Sequence, residues 1–405
     1  MKNTALRPEA YTGVRAYAAM FVLLYHAWFG AAQKKVSIPL WGHALDLTPW
    51  ISYGWIGVDV FFVLSGFLLT KQAIQRCERL TRPVSNTATA GKHATGMPYT
   101  QFIYRRLIRV YPAYLACLSG LLILAWLGVY GQFPKTVDLT LHVLMAHNFV
   151  EAYFTSINGV FWTLPFEWAF YLVFPALFKI LATAGPLRLF MTAFTIAAMA
   201  KLWVVLMSSH TPEFHLPLRI ETFVCGMCAA YYCANDSFWK NQSKVLLGAG
   251  ILLLLATPIV YSAYPHGRHY YDLPGLTRHY WIMFSIAAIL AGLHGRRNAA
   301  FTLFDNKVCI FVGAISYSIY LLHVPVLEIL PMLGAIPNRA EPQVGYWRVL
   351  AGMSLATIAV SAVSYSLIEK PFLRAQVASN AAKRMALLTI LAWGLALIVF
   401  SLLAG

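Results

Sequence analysis

Arg15 and His26 stand eleven positions apart in one apolar run, Gly13–His26. On an α-helix that spacing turns about 1,100°, within roughly 20° of three full turns, so the two side chains share a face about 16 Å apart along the axis. A guanidinium binds anions through a planar fork of N–H donors, and an imidazole takes up and returns protons near neutral pH. Ionisable groups inside a membrane helix are costly and usually face the bundle interior or a wet cavity. One stripe of this helix therefore offers anion binding at one depth and proton transfer at another. A near-terminal Arg can also snorkel to a headgroup, and a His can be a hydrogen-bonded interior residue. Spacing alone leaves both open.

Four further stretches carry polar chemistry. In Tyr104-Arg-Arg-Leu-Ile-Arg-Val-Tyr-Pro112, Arg106 and Arg109 are three apart and share a helix face. Such a pair suits phosphate oxygens, and equally a lipid headgroup. Gly57–Gly66 places Asp59 a little inward of a span's outer end, at a depth where it could set the tautomer of His26 or simply pair within the bundle. Asn158–Tyr171 opens another span with Glu167 and Tyr171 one turn apart. Ser316, Tyr320 and His323 follow at i, i+4 and i+7, a polar stripe that serves as interhelical glue or as a substrate path. Arg219, Glu221 and Glu369 read as structural or headgroup-side charges.

The elements that must hold these groups are membrane helices. The chain has 405 residues, 59% hydrophobic and 11% charged, against about a quarter charged in a soluble domain. Apolar segments of spanning length fall near 13–31, 53–71, 110–130, 160–182, 189–207, 218–234, 245–261, 278–293, 308–330, 346–368 and 385–403. The expected fold is an all-α polytopic transmembrane bundle of about 10–11 spans. The net charge of +16 invites a nucleic-acid reading, but the cations sit in short connections between spans. With the N-terminus in the cytoplasm, Lys71, Arg76, Arg79, Arg105, Arg106, Arg109, Lys179, Arg188, Lys370 and Arg374 fall inside, which fixes that orientation and argues against nucleic acid.

The connection 71–109 is basic and expected to be mobile around 81–98. The external segment 131–159 holds a semi-apolar piece, Leu139–Ala146, that can lie in the interface or re-enter the bundle. The six cysteines imply no disulfide framework, and Cys225-x-x-Cys228 reads as two small buried residues. There is no nucleophile elbow, phosphate-cradling Gly loop, dinucleotide fingerprint, zinc motif or internal repeat. A charged donor entering from inside and a proton-transfer step within the membrane fit this inventory. A transporter or flippase of a glycan or lipid-linked substrate is the alternative, since a polar pathway would serve it too.

Arg15–His26, Gly57–Leu69, Phe102–Pro112, Phe161–Tyr171, Arg219–Gly226, Ile315–His323 and Tyr365–Pro371 together resemble the membrane-bound acyltransferase-3 family, in order, over about residues 10–374. The Arg-x10-His element, the Arg-x-x-Arg pair and Trp-Thr-Leu-x-x-Glu (Trp162–Glu167) are specific in combination, with Thr163 where relatives usually have Ser. The resemblance implies a bacterial inner-membrane enzyme that transfers an acyl group to glycans, lipid-linked sugars or small hydroxylated acceptors. Its donor is expected to be cytoplasmic acyl-CoA, commonly acetyl-CoA, taken as a substrate with no permanently bound cofactor and no metal. It assigns Arg15, Arg106 and Arg109 to the donor and His26 to proton transfer, with Glu167, or else Asp59, orienting His26. Tyr171, Tyr320 and His323 become candidates for the acceptor pathway. A transient acyl-His intermediate stays open. Residues 1–374 are expected to form the catalytic core and 375–405 a linker and an additional C-terminal helix. Some relatives carry a soluble hydrolase-like domain after the core, and the expectation here is that any second step needs another protein.

Overall fold

A computed structural model of the chain describes residues 9–81, 98–206, 216–235, 241–261, 273–294, 302–337, 345–376 and 379–404. Most of the predicted mobile stretch, residues 82–97, lies outside them. The described residues are almost entirely helical. The long helices are α1 (Glu9–Gly30), α3 (Gly57–Thr81), α4 (Tyr99–Trp126), α6 (Thr163–Ala184), α7 (Pro186–Leu206), α8 (Ile220–Asn235), α9 (Ser243–Tyr261), α10 (Leu273–His294), α12 (Ser316–Met332), α13 (Tyr346–Ser364) and α15 (Asn380–Ala404). Short helices α2 (Thr48–Ser52), α5 (Thr136–Val143), α11 (Lys307–Ala314) and α14 (Lys370–Ala375) complete the set.

Ten of the eleven apolar segments each coincide with a helix, and the eleventh, 308–330, with the pair α11 and α12. Among the described residues, six helices are individually long and apolar enough to cross a membrane, and α11 with α12 makes a seventh as a span bent by 70°. Of the remaining long helices, α8 has 16 residues and holds Glu221, and α1 holds Arg15 and His26. The protein is an all-α, multi-pass membrane bundle. The connection after α1 also folds into a β-hairpin, Ser37–Leu40 against His43–Asp46, which the hydropathy pattern did not suggest. Trp41 (φ 46°) and Gly42 (φ 80°) supply the two positive φ angles that a tight two-residue hairpin turn needs.

The chain divides into two compact units. The first comprises Met1–Val14, Val58–Ile103 and Ala169–Ile310. Its centre is a close crossing of α3 and α8: a Cβ on Gly66 would collide with the Phe223 carbonyl, and one on Gly226 with the Val63 carbonyl. These two family-motif glycines let the backbones touch, as small residues do where membrane helices pack. Phe223 stacks on Phe62 and Phe170 at 4.6 and 4.2 Å between centroids.

The second unit comprises Arg15–Gly57, Tyr104–Trp168 and Phe311–Gly405. Its centre is α12, whose residues Ser316–Leu321 are all buried. Pro325 lies inside that helix and has no N–H, so the Leu321 carbonyl loses its usual partner one turn on. Asn158 Nδ2 donates to that carbonyl at 3.0 Å, and Cys117 Sγ approaches it at 3.5 Å. A proline that would weaken a lipid-facing helix here opens a carbonyl that two other elements grip. The semi-apolar 139–146 piece is largely α5, packed against α15, with Trp393 Nε1 donating to Ser119 Oγ on α4 at 2.9 Å. The additional C-terminal helix is thus bound into this unit. All six cysteines are free.

Candidate active site

The second unit gathers seven of the nine residues singled out from the sequence: Arg15, His26, Arg106, Arg109, Glu167, Tyr320 and His323. The stripe along α12 makes four such contacts in turn. At its start Arg15 Nε donates to Ser316 Oγ at 3.1 Å. Two residues on, Ser318 Oγ donates to Glu369 Oε1 at 2.6 Å, and the other carboxylate oxygen faces Arg109 Nη1 at 3.3 Å. Tyr320 Oη lies 2.7 Å from Thr163 Oγ1, the residue that stands in the Trp-Thr-Leu element, and donates to the Val160 carbonyl at 2.8 Å. Finally His323 Nε2 lies 3.2 Å from His26 Nδ1.

α1 is continuous from Glu9 to Gly30, so Arg15 and His26 do share its face, about 16 Å apart. His26 is half-buried, with Nδ1 2.9 Å from the Val22 carbonyl one turn back. A carbonyl can only accept, so Nδ1 carries the hydrogen and Nε2 keeps the lone pair. That tautomer can take a proton at Nε2. The side chain against its Nδ1 is another imidazole, that of His323. Glu167 is half-buried on α6, one turn from Thr163 and on the same face. Arg106 is likewise half-buried on α4.

Asp59 and Tyr171 belong to the first unit. Asp59 Oδ1 accepts from Arg219 Nη1 at 2.8 Å, and the same nitrogen donates to His279 Nδ1 at 2.8 Å. Lys201 and Glu221 pair beside them at 2.7 Å. These charges cancel in pairs, as buried ions in a bundle must. Tyr171 is buried, with its ring edge toward Phe102 at 6.5 Å.

Two features escaped the sequence reading. Glu369, read as a structural or headgroup-side charge, has a side chain that is 1% exposed and sits against Arg109, a pairing the sequence did not indicate. A five-residue π-helical stretch, Tyr365–Glu369, ends on it, and such bulges often re-aim side chains at functional sites. The rule that a carboxylate within an apolar segment is paired or functional would have flagged it. The other is a histidine stack outside the spans: His142 and His147 lie parallel at 3.9 Å. His142 Nδ1 is 3.0 Å from Asp138, which Ser156 Oγ also holds at 2.9 Å. Burial first, and the His142 ring second, lower the His147 pKa to about 3.

Among the described residues no cluster of His, Cys, Asp and Glu is arranged to hold a metal ion. No solved structure matches the chain. Nodulation protein 10 of Rhizobium leguminosarum bv. viciae is 27% identical over 389 residues, covering 89% of this chain and 92% of that protein. Peptidoglycan O-acetyltransferase OatA of Listeria monocytogenes is 21% identical over 403 residues, covering 92% of this chain and 57% of that one. The acyltransferase-domain family matches residues 9–366, a span that takes in every candidate residue and stops short of α15. With Arg15, Thr163 and His26 held along α12 and Arg109 reaching it through Glu369, the chain belongs to the acyltransferase-3 family of membrane proteins.

Proposed function

We propose that this protein is a bacterial inner-membrane O-acyltransferase that moves an acyl group, acetyl first among the choices, from cytoplasmic acyl-CoA to a hydroxyl of an extracytoplasmic glycan or related acceptor. The observation that carries the reading is the placement of His26: its Nδ1 lies 2.9 Å from the Val22 carbonyl, an acceptor that assigns the hydrogen to Nδ1 and leaves Nε2 its lone pair, on the same helix face as Arg15. The cation bias of the connections supports a cytoplasmic N-terminus and donor entry from that side. The likeness to the Listeria peptidoglycan O-acetyltransferase supports a glycan acceptor.

In this mechanism Arg106 and Arg109, with Arg15, hold the CoA phosphates, and the pantetheine arm reaches between helices toward His26. The acceptor oxygen attacks the thioester carbonyl as Nε2 of His26 takes its proton. A C–O bond forms, the C–S bond breaks, and the imidazolium returns the proton to the departing CoA thiolate. Tyr320 and Glu167 line the acceptor's approach or orient it.

The test is reconstitution of the full chain in proteoliposomes with acetyl-labelled acetyl-CoA and a soluble glycan fragment. Release of free CoA thiol matched by label in ester linkage on the glycan is the expected result. Glycan translocation without thiol release would establish the flippase reading instead.

A further inference from the structure

We propose that His323 is a positioning residue for His26, holding its ring in the base-competent tautomer and stabilising the imidazolium that forms on proton transfer. This rests on the reading of His26 as the base and assigns His323 a different part from that of an acceptor wall.

The two rings meet edge to face, with centroids 4.7 Å apart and planes at 70°. Each histidine sends Nδ1 to the carbonyl one turn back on its own helix: His26 to Val22 at 2.9 Å, His323 to Ile319 at 3.1 Å. Both carbonyls can only accept, so both Nδ1 atoms are protonated. His323 Nε2 is then a lone pair, and it faces His26 Nδ1 at 3.2 Å. One assignment of hydrogens satisfies all three contacts. The His26 hydrogen is shared between the Val22 carbonyl and the His323 nitrogen, and the opposite tautomer of His26 would set two lone pairs against each other.

The setting suits this role. His323 is fully buried, and the neighbouring Leu321 carbonyl is pinned by Asn158 and Cys117, so the acceptor nitrogen has a fixed address. A carboxylate there would do the same work but would bring a fixed negative charge into the membrane interior, whereas an imidazole offers a lone pair without one. When Nε2 of His26 receives the acceptor proton, the Nδ1–H···Nε2 bond becomes charge-assisted and strengthens. The gain comes as the transition state is approached and is small in the ground state, so it acts on kcat and not on KM.

The experiment compares His323→Leu, which removes the lone pair, with His323→Gln, whose side-chain oxygen reaches about the place of Nε2. Steady-state kinetics on the full chain in nanodiscs should show kcat falling about 10- to 100-fold in His323→Leu, with both KM values within about twofold. His323→Gln should recover most of the loss. Nitrogen-15 NMR of histidine-labelled wild-type protein, with the His26 signal identified through His26→Asn, should show a protonated Nδ1 and a bare Nε2. This last measurement needs no variant of His323 to fold. Unchanged kcat in His323→Leu, equal impairment of both variants, an effect confined to the acceptor KM, or the opposite His26 tautomer would each overturn the proposal. Should His26→Ala remain active, the base reading itself fails; should it be inactive while His323→Leu turns over normally, only the present inference does.

Discussion

Arg109 and Glu369, 260 positions apart, meet at 3.3 Å with the carboxylate almost wholly buried and the guanidinium about a fifth exposed. An arginine assigned to the donor's phosphates is thus also the counter-ion of an interior carboxylate. One nitrogen faces inward, and the fork's remaining donors stay available for an anion.

The two roles separate by mutation. Arg109→Ala strands a buried charge and should cost about 3–5 kcal/mol of stability as well as donor affinity. The double variant Arg109→Met/Glu369→Gln removes both charges and should recover most of the melting temperature. Its KM for acyl-CoA should stay raised, about tenfold or more, for loss of a charge-assisted hydrogen bond. A double variant with wild-type KM would remove Arg109 from the donor site.

Asn158 and Pro325 should be coupled through the Leu321 carbonyl. Asn158→Ala deprives that carbonyl of its donor and should destabilise by roughly 1–3 kcal/mol. Pro325→Ala restores a backbone N–H in the right place, so the double variant should be more stable than Asn158→Ala alone. A double-mutant cycle on thermal unfolding in detergent reads this directly, and simple additivity would argue against it.

Acid should weaken the His142–His147 segment. Burial lowers His147 to about 3 against an ordinary 6.5. Between those values the unfolded chain binds a proton that the folded one refuses, so unfolding is favoured as pH falls through that window and is indifferent to this group above it. The melting temperature of the wild type, compared with His147→Phe, should diverge below about pH 6.5, with the variant's curve flatter. Parallel curves from pH 7.5 to 5 would contradict the burial of a neutral ring.

Gly66 and Gly226 tie family motifs to packing. Alanine at either places a methyl against a backbone carbonyl of the other helix, which cannot move as a flexible side chain can. Gly66→Ala should lower folded yield sharply, and a fluorescence-detected size-exclusion profile checks it. A monodisperse, fully active Gly66→Ala protein would mean that α3 and α8 are not so closely packed.

The helices were legible because hydropathy is a local property: every one of the eleven apolar runs became helical, one of them as two helices. The helical period alone likewise put Arg15 and His26 on one face. What no period could reveal was pairing at long range. His26 and His323 are 297 positions apart, and nothing local to α1 indicates that its imidazole will meet another. The bend that breaks 308–330 into α11 and α12, the π-helical stretch ending at Glu369 and the alliance of Asp59 with Arg219 are all set by neighbours distant in sequence. Glu369 was left between a structural and a headgroup-side charge for a related reason: its basic flank, Lys370 and Arg374, resembles a headgroup boundary, while the carboxylate itself turns inward.

The central claim is that a single imidazole on α1 removes the acceptor's proton in an acyl-CoA-dependent transfer. Acyl transfer by folded His26→Ala protein, measured alongside acyl-CoA binding to the same sample, tests it most directly. Turnover should fall by about 10³-fold or more with donor affinity held within about twofold. Transfer within tenfold of wild type would contradict the account.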